Sequence, residues 1–209
     1  MTLVSLQLFA KHLWSYLQPW LKEDVNTVVT ASEVKALSDS PFVAIHVRRG
    51  DKISKEMGLW IEAEEFLVAA ARYLQTSHNG TLEHTGSATE DIKGIWVASD
   101  DPDVVGEIRT LAPSYFPNVV VDNIVWVSDG VDGGPKSSGI STYTSQQSYS
   151  SFVYMFADLQ QLASADVFVG TFSSNIGRLV YLLRQNNGKR RETAISMDTA
   201  EWFAGRRHL

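Results

Sequence analysis

The feature of this sequence that most constrains its fold is the alternation of short apolar runs with longer amphipathic stretches. Residues 42–47, 95–99 and 167–171 are apolar runs of the length of a buried strand. The stretches between them contain segments whose apolar residues follow helical spacing, such as residues 61–75 and 150–163. Strands that alternate with helices are typical of parallel sheets. We therefore predict an α/β fold with a Rossmann-like, mainly parallel sheet and flanking helices.

The same patterns predict the rest of the chain's organisation. Short apolar runs predict a third strand at 119–121 and a fifth at 193–197, and a helix is predicted over 175–185. Residues 128–148 are rich in Gly and Ser and are expected to lack regular structure. Helical spacing also precedes the first strand, and Pro19 separates two helices there. We expect a helical lead-in over residues 1–40 and a Rossmann-like domain over residues 41–205.

Composition excludes several classes of protein. The chain has no cysteine, which excludes disulfides, thiolate zinc sites and a cysteine nucleophile. Its formal net charge of −6 has the wrong sign for general nucleic-acid binding. No apolar run reaches the roughly 20 residues of a membrane helix, and the first residues lack the pattern of a signal peptide. We expect no nucleic-acid partner and no membrane contact, so an anionic ligand needs a local cluster of cations.

Such a cluster follows the first predicted strand, where Arg48, Arg49 and Lys52 lie within five residues of one another. Ligands of parallel α/β sheets bind beyond the carboxyl ends of the strands. The planar guanidinium group binds phosphate through two parallel hydrogen bonds. The cluster therefore suits a diphosphate, and the alternative is a solvated turn.

A second anion-suited turn follows the fourth predicted strand, at residues 171–175. A strand, a short turn and a helix N-terminus bring free backbone N–H groups and the positive end of a helix dipole together. Ser173 and Ser174 add hydroxyl donors, although Ser174 could equally serve only as a helix cap. The glycine fingerprint G-x-G-x-x-G is absent, which argues against an NAD-dependent oxidoreductase.

Two acids are candidate functional residues on weaker grounds. Asp158 lies on the predicted helix 150–163, and a carboxylate there is either a surface residue or an acceptor for guanine N1–H and N2–H. Glu56 follows Lys52 by four residues and is either a solvated acid or a part of the same strand-end site.

Four segments resemble a known family in the same order along the chain. HVRRGDK resembles the motif HVRRTDK of the eukaryotic α-1,6-fucosyltransferases, the family-23 glycosyltransferases that add core fucose to N-glycans. WVASDDPDVV resembles the family's ASDDP segment, and ADLQQLASADVFVGTFSSN resembles its D-I-H-x-L-S-x-A-D-x-x-V-x-T-F-S-S-Q segment. SMDTAEWFAGR is similar to the family's closing SLDDxYYFGG. LWSYLQPWLKED, before the first strand, also resembles the family's helical lead-in, and the resemblance runs from about residue 6 to residue 205.

The resemblance implies roles for the donor-side residues. Arg48 would hold the β-phosphate of GDP-fucose with support from Arg49. His46 and Asp158 would contact the guanine. Asp100 and Asp101 match an acidic pair that the family requires. Ser174 and Asn175, next to Ser173, match its nucleotide-binding pair.

On the acceptor side the resemblance implies that Asp51, Lys52 and Glu56 are catalytic, together with Arg48. Glu56 would be the base that deprotonates the 6-hydroxyl group of an acceptor N-acetylglucosamine in a GlcNAc-containing glycan. The chain departs from the family pattern with Gly50 for Thr, Asn175 for Gln and Phe66 for Tyr.

As a whole, the resemblance implies an inverting fucosyltransferase of the Golgi lumen that needs neither metal nor cofactor. The chain would be mainly the nucleotide lobe of a GT-B-like enzyme, with the preceding lobe absent or supplied by a partner. Two alternatives stay open: a fucosyltransferase that acts on chitin-type oligosaccharides, and a non-catalytic GDP-sugar-binding module.

Overall fold

The computed structural model describes residues 15–31, 39–49, 60–78, 88–127, 144–189 and 191–198, together with His12 and Leu37. Five parallel strands form one sheet in the order β3-β2-β1-β4-β5. The strands are β1 Phe42–Val47, β2 Gly94–Ser99, β3 Ile124–Val125, β4 Val167–Gly170 and β5 Ala194–Ser196. This order is that of a Rossmann sheet, in which the connections reverse beside the first strand. The predicted α/β fold with a parallel sheet is confirmed.

Six α-helices lie within the described ranges: α1 Pro19–Val29, α2 Ala63–His78, α3 Ala88–Asp91, α4 Pro102–Leu111, α5 Ser145–Ser164 and α6 Asn175–Asn186. Asp101 and Pro102 determine the start of α4: the Asp103 backbone N–H donates to the Asp101 side chain at 3.1 Å, and Pro102 opens the first turn. None of the helices among the described residues is long and apolar enough to cross a membrane.

Two sequence predictions about element bounds are wrong. The third strand is Ile124–Val125, whereas Val121–Asn123 is a 3₁₀ turn. Val120 and Val121 are exposed, so their β-branched side chains favour a strand locally but find no core to pack against. Helix α5 begins at Ser145 inside the segment expected to lack structure, because Thr144 and Gln147 form a reciprocal capping box.

The sheet separates two apolar cores. On one face Ala44, Trp96 and Phe168 pack with residues of α1, α5 and α6. On the other face Val43 and Ile45 pack with residues of α2 and α4. Successive strand residues point to opposite faces, so His46 lies on the Ala44 face, which α5 covers.

The division into a lead-in over 1–40 and a domain over 41–205 stays a prediction. Within the described residues, α1 of the lead-in packs against α5 of the domain.

Candidate functional site

The site begins where β1 and β2 end side by side, with Val47 opposite Ser99. Asp100 follows β2 and accepts the backbone N–H of Arg49 on Oδ1 at 2.9 Å. The other carboxylate oxygen of Asp100 lies 3.0 Å from the Arg48 guanidinium, whose side chain is 25% exposed. The structure thus brings the predicted residues Arg48 and Asp100 together, and Asp100 holds the arginine at the carboxyl edge of the sheet.

Arg49 has a different environment from Arg48. Its side chain is 4% exposed, and it donates two hydrogen bonds to Glu107 at 2.6 and 2.8 Å. Asp101 and Glu62 lie 3.9 and 3.5 Å from the guanidinium, which also stacks on Trp60 at 4.5 Å. The bond to Glu107 raises the pKa of Arg49. A guanidinium enclosed in this way supports the turn rather than facing the sheet edge, and Asp101 caps α4 beside it.

The turn between β4 and α6 corrects one sequence expectation. The backbone N–H groups expected to be free for phosphate are bonded to Asp198: Phe172 donates at 3.1 Å and Ser173 at 2.8 Å. The Ser196 hydroxyl also donates to Asp198 at 2.7 Å. Burial acts to raise the pKa of Asp198, but the hydrogen bonds from Ser173 and Ser196 outweigh it and keep the pKa below its ordinary value. The Asp198 carboxylate therefore accepts hydrogen bonds from two backbone N–H groups that the sequence alone assigned to a ligand.

Ser174 occupies the N-cap position of α6, but its side chain makes no capping hydrogen bond. The structure therefore does not support the reading that its hydroxyl serves only as a cap. Asn175 is the first residue of the helix and is exposed. One turn further on, the Arg178 side chain donates to the Phe172 carbonyl oxygen at 2.6 Å and adds a cation beside the turn.

His46 and Asp158 lie on the sheet face that α5 covers. His46 is buried, its Nδ1 has no hydrogen-bond partner among the described residues, and burial lowers its pKa to about 4. Asp158 of α5 is partly exposed, and its Oδ1 accepts the indole N–H of Trp96 at 2.9 Å. Burial raises the pKa of Asp158 to about 8. A neutral imidazole and a carboxyl group of raised pKa thus occupy one side of the sheet.

The acceptor-side predictions for Asp51, Lys52 and Glu56 fall outside the described residues and stay predictions. The described part of the chain contains no group of three or more His, Cys, Asp or Glu side chains that could hold a metal ion.

Sequence reasoning did not identify Trp96, Glu107, Arg178 or Asp198. Two of these residues, Asp198 and Trp96, could have been identified from the sequence. Asp198 lies in the closing SMD segment, and Trp96 is an indole donor in an apolar strand, where it needs an acceptor.

The fold and this edge define a class: a Rossmann-like α/β domain with cationic and hydroxyl side chains at the carboxyl end of its sheet. A family model described as "Alpha-(1,6)-fucosyltransferase N- and catalytic domains" matches residues 5–198. The chain belongs to this family, as its motifs predict.

Two curated relatives are named alpha-(1,6)-fucosyltransferase. The Drosophila melanogaster protein is 27% identical over 147 residues, which cover 70% of this chain and 20% of that protein. The Caenorhabditis elegans protein is 25% identical over 170 residues, which cover 81% of this chain and 27% of that protein. The match thus spans about a quarter of the length of these relatives.

Proposed function

We propose that this chain is the donor-nucleotide part of a fucosyltransferase and binds GDP-fucose at the carboxyl edge of its sheet. The observation that carries the proposal is Arg48, a partly exposed guanidinium held by Asp100 at the end of the central strand. β1 and β4 are adjacent and parallel, so Arg48 and the turn with Ser174 follow neighbouring strand ends. An arginine and a serine hydroxyl at one edge suit the two phosphates of a nucleotide diphosphate.

The same edge suits the chemistry of transfer. When the bond between fucose and GDP breaks, negative charge develops on the departing diphosphate, and prepositioned cations stabilise that charge. Arg48 would supply one cation and Arg178 a second. Ser173, Ser174 and Asn175 would complete the contacts at the start of α6. We propose on this basis that transfer needs no metal ion.

The guanine base of GDP-fucose would lie on the α5 side of the sheet. Ionised Asp158 can accept both N1–H and N2–H of guanine, whereas adenine has no such pair of donors on that edge. The neutral His46 offers a ring nitrogen without a partner among the described residues. Together these groups favour a guanine nucleotide over an adenine nucleotide.

The acceptor half of the proposal rests on the family. Glu56 would take the proton of the acceptor 6-hydroxyl group, assisted by Asp51 and Lys52, and the configuration at the fucose anomeric carbon would invert. The acceptor would be a GlcNAc of an N-glycan core, and the site of action the Golgi lumen. The second candidate function is a module that binds GDP-sugar without turnover.

Calorimetry of the chain with GDP tests the donor site. Loss of the charge-assisted contact in Arg48→Ala should weaken GDP binding about ten- to a hundredfold. Arg48→Lys should recover part of the affinity, because lysine keeps the positive charge but cannot form the two parallel hydrogen bonds of a guanidinium group. The matched control is Arg72→Ala, since Arg72 is exposed on α2 at the opposite face of the sheet.

An Arg48→Ala affinity equal to that of Arg72→Ala would refute the site. GDP binding without fucose transfer to a GlcNAc-containing N-glycan would favour the second candidate.

A further inference from the structure

Trp96 stands out among the residues of the sheet. It lies in the middle of β2 and is fully buried, yet it carries a hydrogen-bond donor in an otherwise apolar strand segment. Its neighbours in register are Ala44 on β1 and Val125 on β3. The small Ala44 side chain leaves space on this face for the indole. The indole N–H reaches Asp158 on α5 at 2.9 Å.

This hydrogen bond determines how the Asp158 carboxyl group is presented. The terminal torsion of an aspartate side chain has a broad distribution, so a carboxyl group without a partner rotates over a wide range. The indole is only a donor, and it holds Oδ1 toward the sheet. An ionised carboxylate offers about four acceptor positions, so one bond from Trp96 leaves capacity for two N–H donors of a ligand.

A second group on the same face points to a ligand. His46 pairs with Ala98, two residues beyond Trp96 on β2, so the imidazole and the indole follow one another toward the carboxyl end of the sheet. His46 is 6% exposed, and its Nδ1 has no hydrogen-bond partner among the described residues. Buried polar atoms are nearly always hydrogen-bonded, so this ring nitrogen needs a partner that the described residues do not supply.

We infer that Trp96 is a positioning residue for nucleobase selection: its indole N–H orients Asp158 so that the carboxylate accepts a base with adjacent N1–H and 2-amino donors. The inference rests on the proposed GDP site. The ligand class is a guanine nucleotide. Inosine diphosphate is the informative analogue, because it keeps N1–H and lacks only the 2-amino group.

A merely structural role for Trp96 predicts a different result. A core defect weakens the domain and reduces affinity for GDP and inosine diphosphate by similar factors. A positioning role acts on the two-donor contact, so it lowers GDP affinity more than inosine diphosphate affinity and leaves ADP unchanged. The ratio of GDP to inosine diphosphate affinity therefore separates the two roles.

The experiment is calorimetry of the chain with GDP, inosine diphosphate and ADP, in the original sequence and in Trp96→Phe. Phenylalanine keeps an aromatic ring and removes the N–H donor. We expect GDP affinity to fall about tenfold and the GDP to inosine diphosphate ratio to approach one. The matched control is Trp20→Phe, because Trp20 is half-exposed on α1 and its ring contacts Tyr149 of α5 at a tilted angle. The control should keep the ratio.

If Trp96→Phe folds and keeps the original ratio, the inference is wrong and the GDP site stands. If the original chain binds no GDP, both are wrong. If Trp96→Phe does not fold, the NMR resonance of the Trp96 indole N–H in the original chain decides between the positioning role and the structural role. Saturating GDP should shift it more than saturating ADP, and equal shifts would overturn the inference.

Discussion

Replacing Asp158 with asparagine should stabilise the chain and at the same time impair its binding of GDP. Burial raises the pKa of Asp158 to about 8 in the folded state, against an ordinary value of 3.8. At neutral pH the folded chain therefore keeps the proton that the unfolded chain releases. Asparagine keeps an oxygen for the Trp96 indole, has similar volume and does not titrate.

The magnitude follows from the difference in proton affinity. At pH 7 the pH exceeds the unfolded pKa by about three units, and each unit corresponds to about 1.4 kcal/mol, which gives about 4 kcal/mol. Asp158 is partly exposed, so water screens part of this effect and we expect about 2 kcal/mol. For a chain of this size, that corresponds to an increase in Tm of about 4–8 °C.

The pH dependence identifies the cause. A folded-state pKa above the unfolded value contributes stability below about pH 4 that is lost as the pH rises through about 8. The Tm of Asp158→Asn should therefore equal that of the original chain near pH 4 and exceed it increasingly up to pH 8. Asp122→Asn, at an exposed position, is the control for the change from carboxyl to amide. A Tm difference that is the same at pH 4.5 and pH 7.5 would show that the titration of Asp158 is not the cause of the stabilisation.

Three further predictions concern ligand binding and catalysis. GDP affinity, measured by calorimetry, should rise from pH 6 to pH 8, because Asp158 must ionise to accept guanine. His46, whose pKa is lowered to about 4, keeps its neutral form over this range. The same rise in Asp158→Asn would contradict this prediction. EDTA should leave GDP affinity unchanged, and a strict need for Mn²⁺ or Mg²⁺ would favour a metal-dependent transferase. Glu56→Gln, made in a protein that also carries the other parts of the family's catalytic region, should keep GDP affinity and lose about 10²–10⁴-fold in the rate of fucose transfer. Transfer at the original rate would mean that another residue is the catalytic base, and Asp51 would be tested first.

How far the sequence predicted the fold depends on burial. β1 is buried along its whole length, so its apolar run is uninterrupted and its bounds are recognisable. β3 has two residues and lies at the sheet edge, and the apolar run beside it, Val119 to Val121, is partly exposed. Apolar character alone does not separate such an edge strand from a neighbouring turn, because tertiary packing decides which residues pair.

The site was predictable where chemistry is local and not where it depends on distant partners. Arg48 follows a recognisable strand, so its place at the sheet edge could be predicted. Arg49 has the same local sequence signal, but Glu107, 58 residues further on, takes its guanidinium. Asp198 lies 26 residues from Phe172 and takes its amide. Only the folded chain brings such pairs together.

The most direct test of the account is the titration of this chain with GDP and ADP under identical conditions. The arrangement of Arg48, Ser174 and Asp158 predicts saturable GDP binding and much weaker ADP binding. Absence of GDP binding, or equal affinity for the two nucleotides, would contradict the account of this edge as a guanine-nucleotide site.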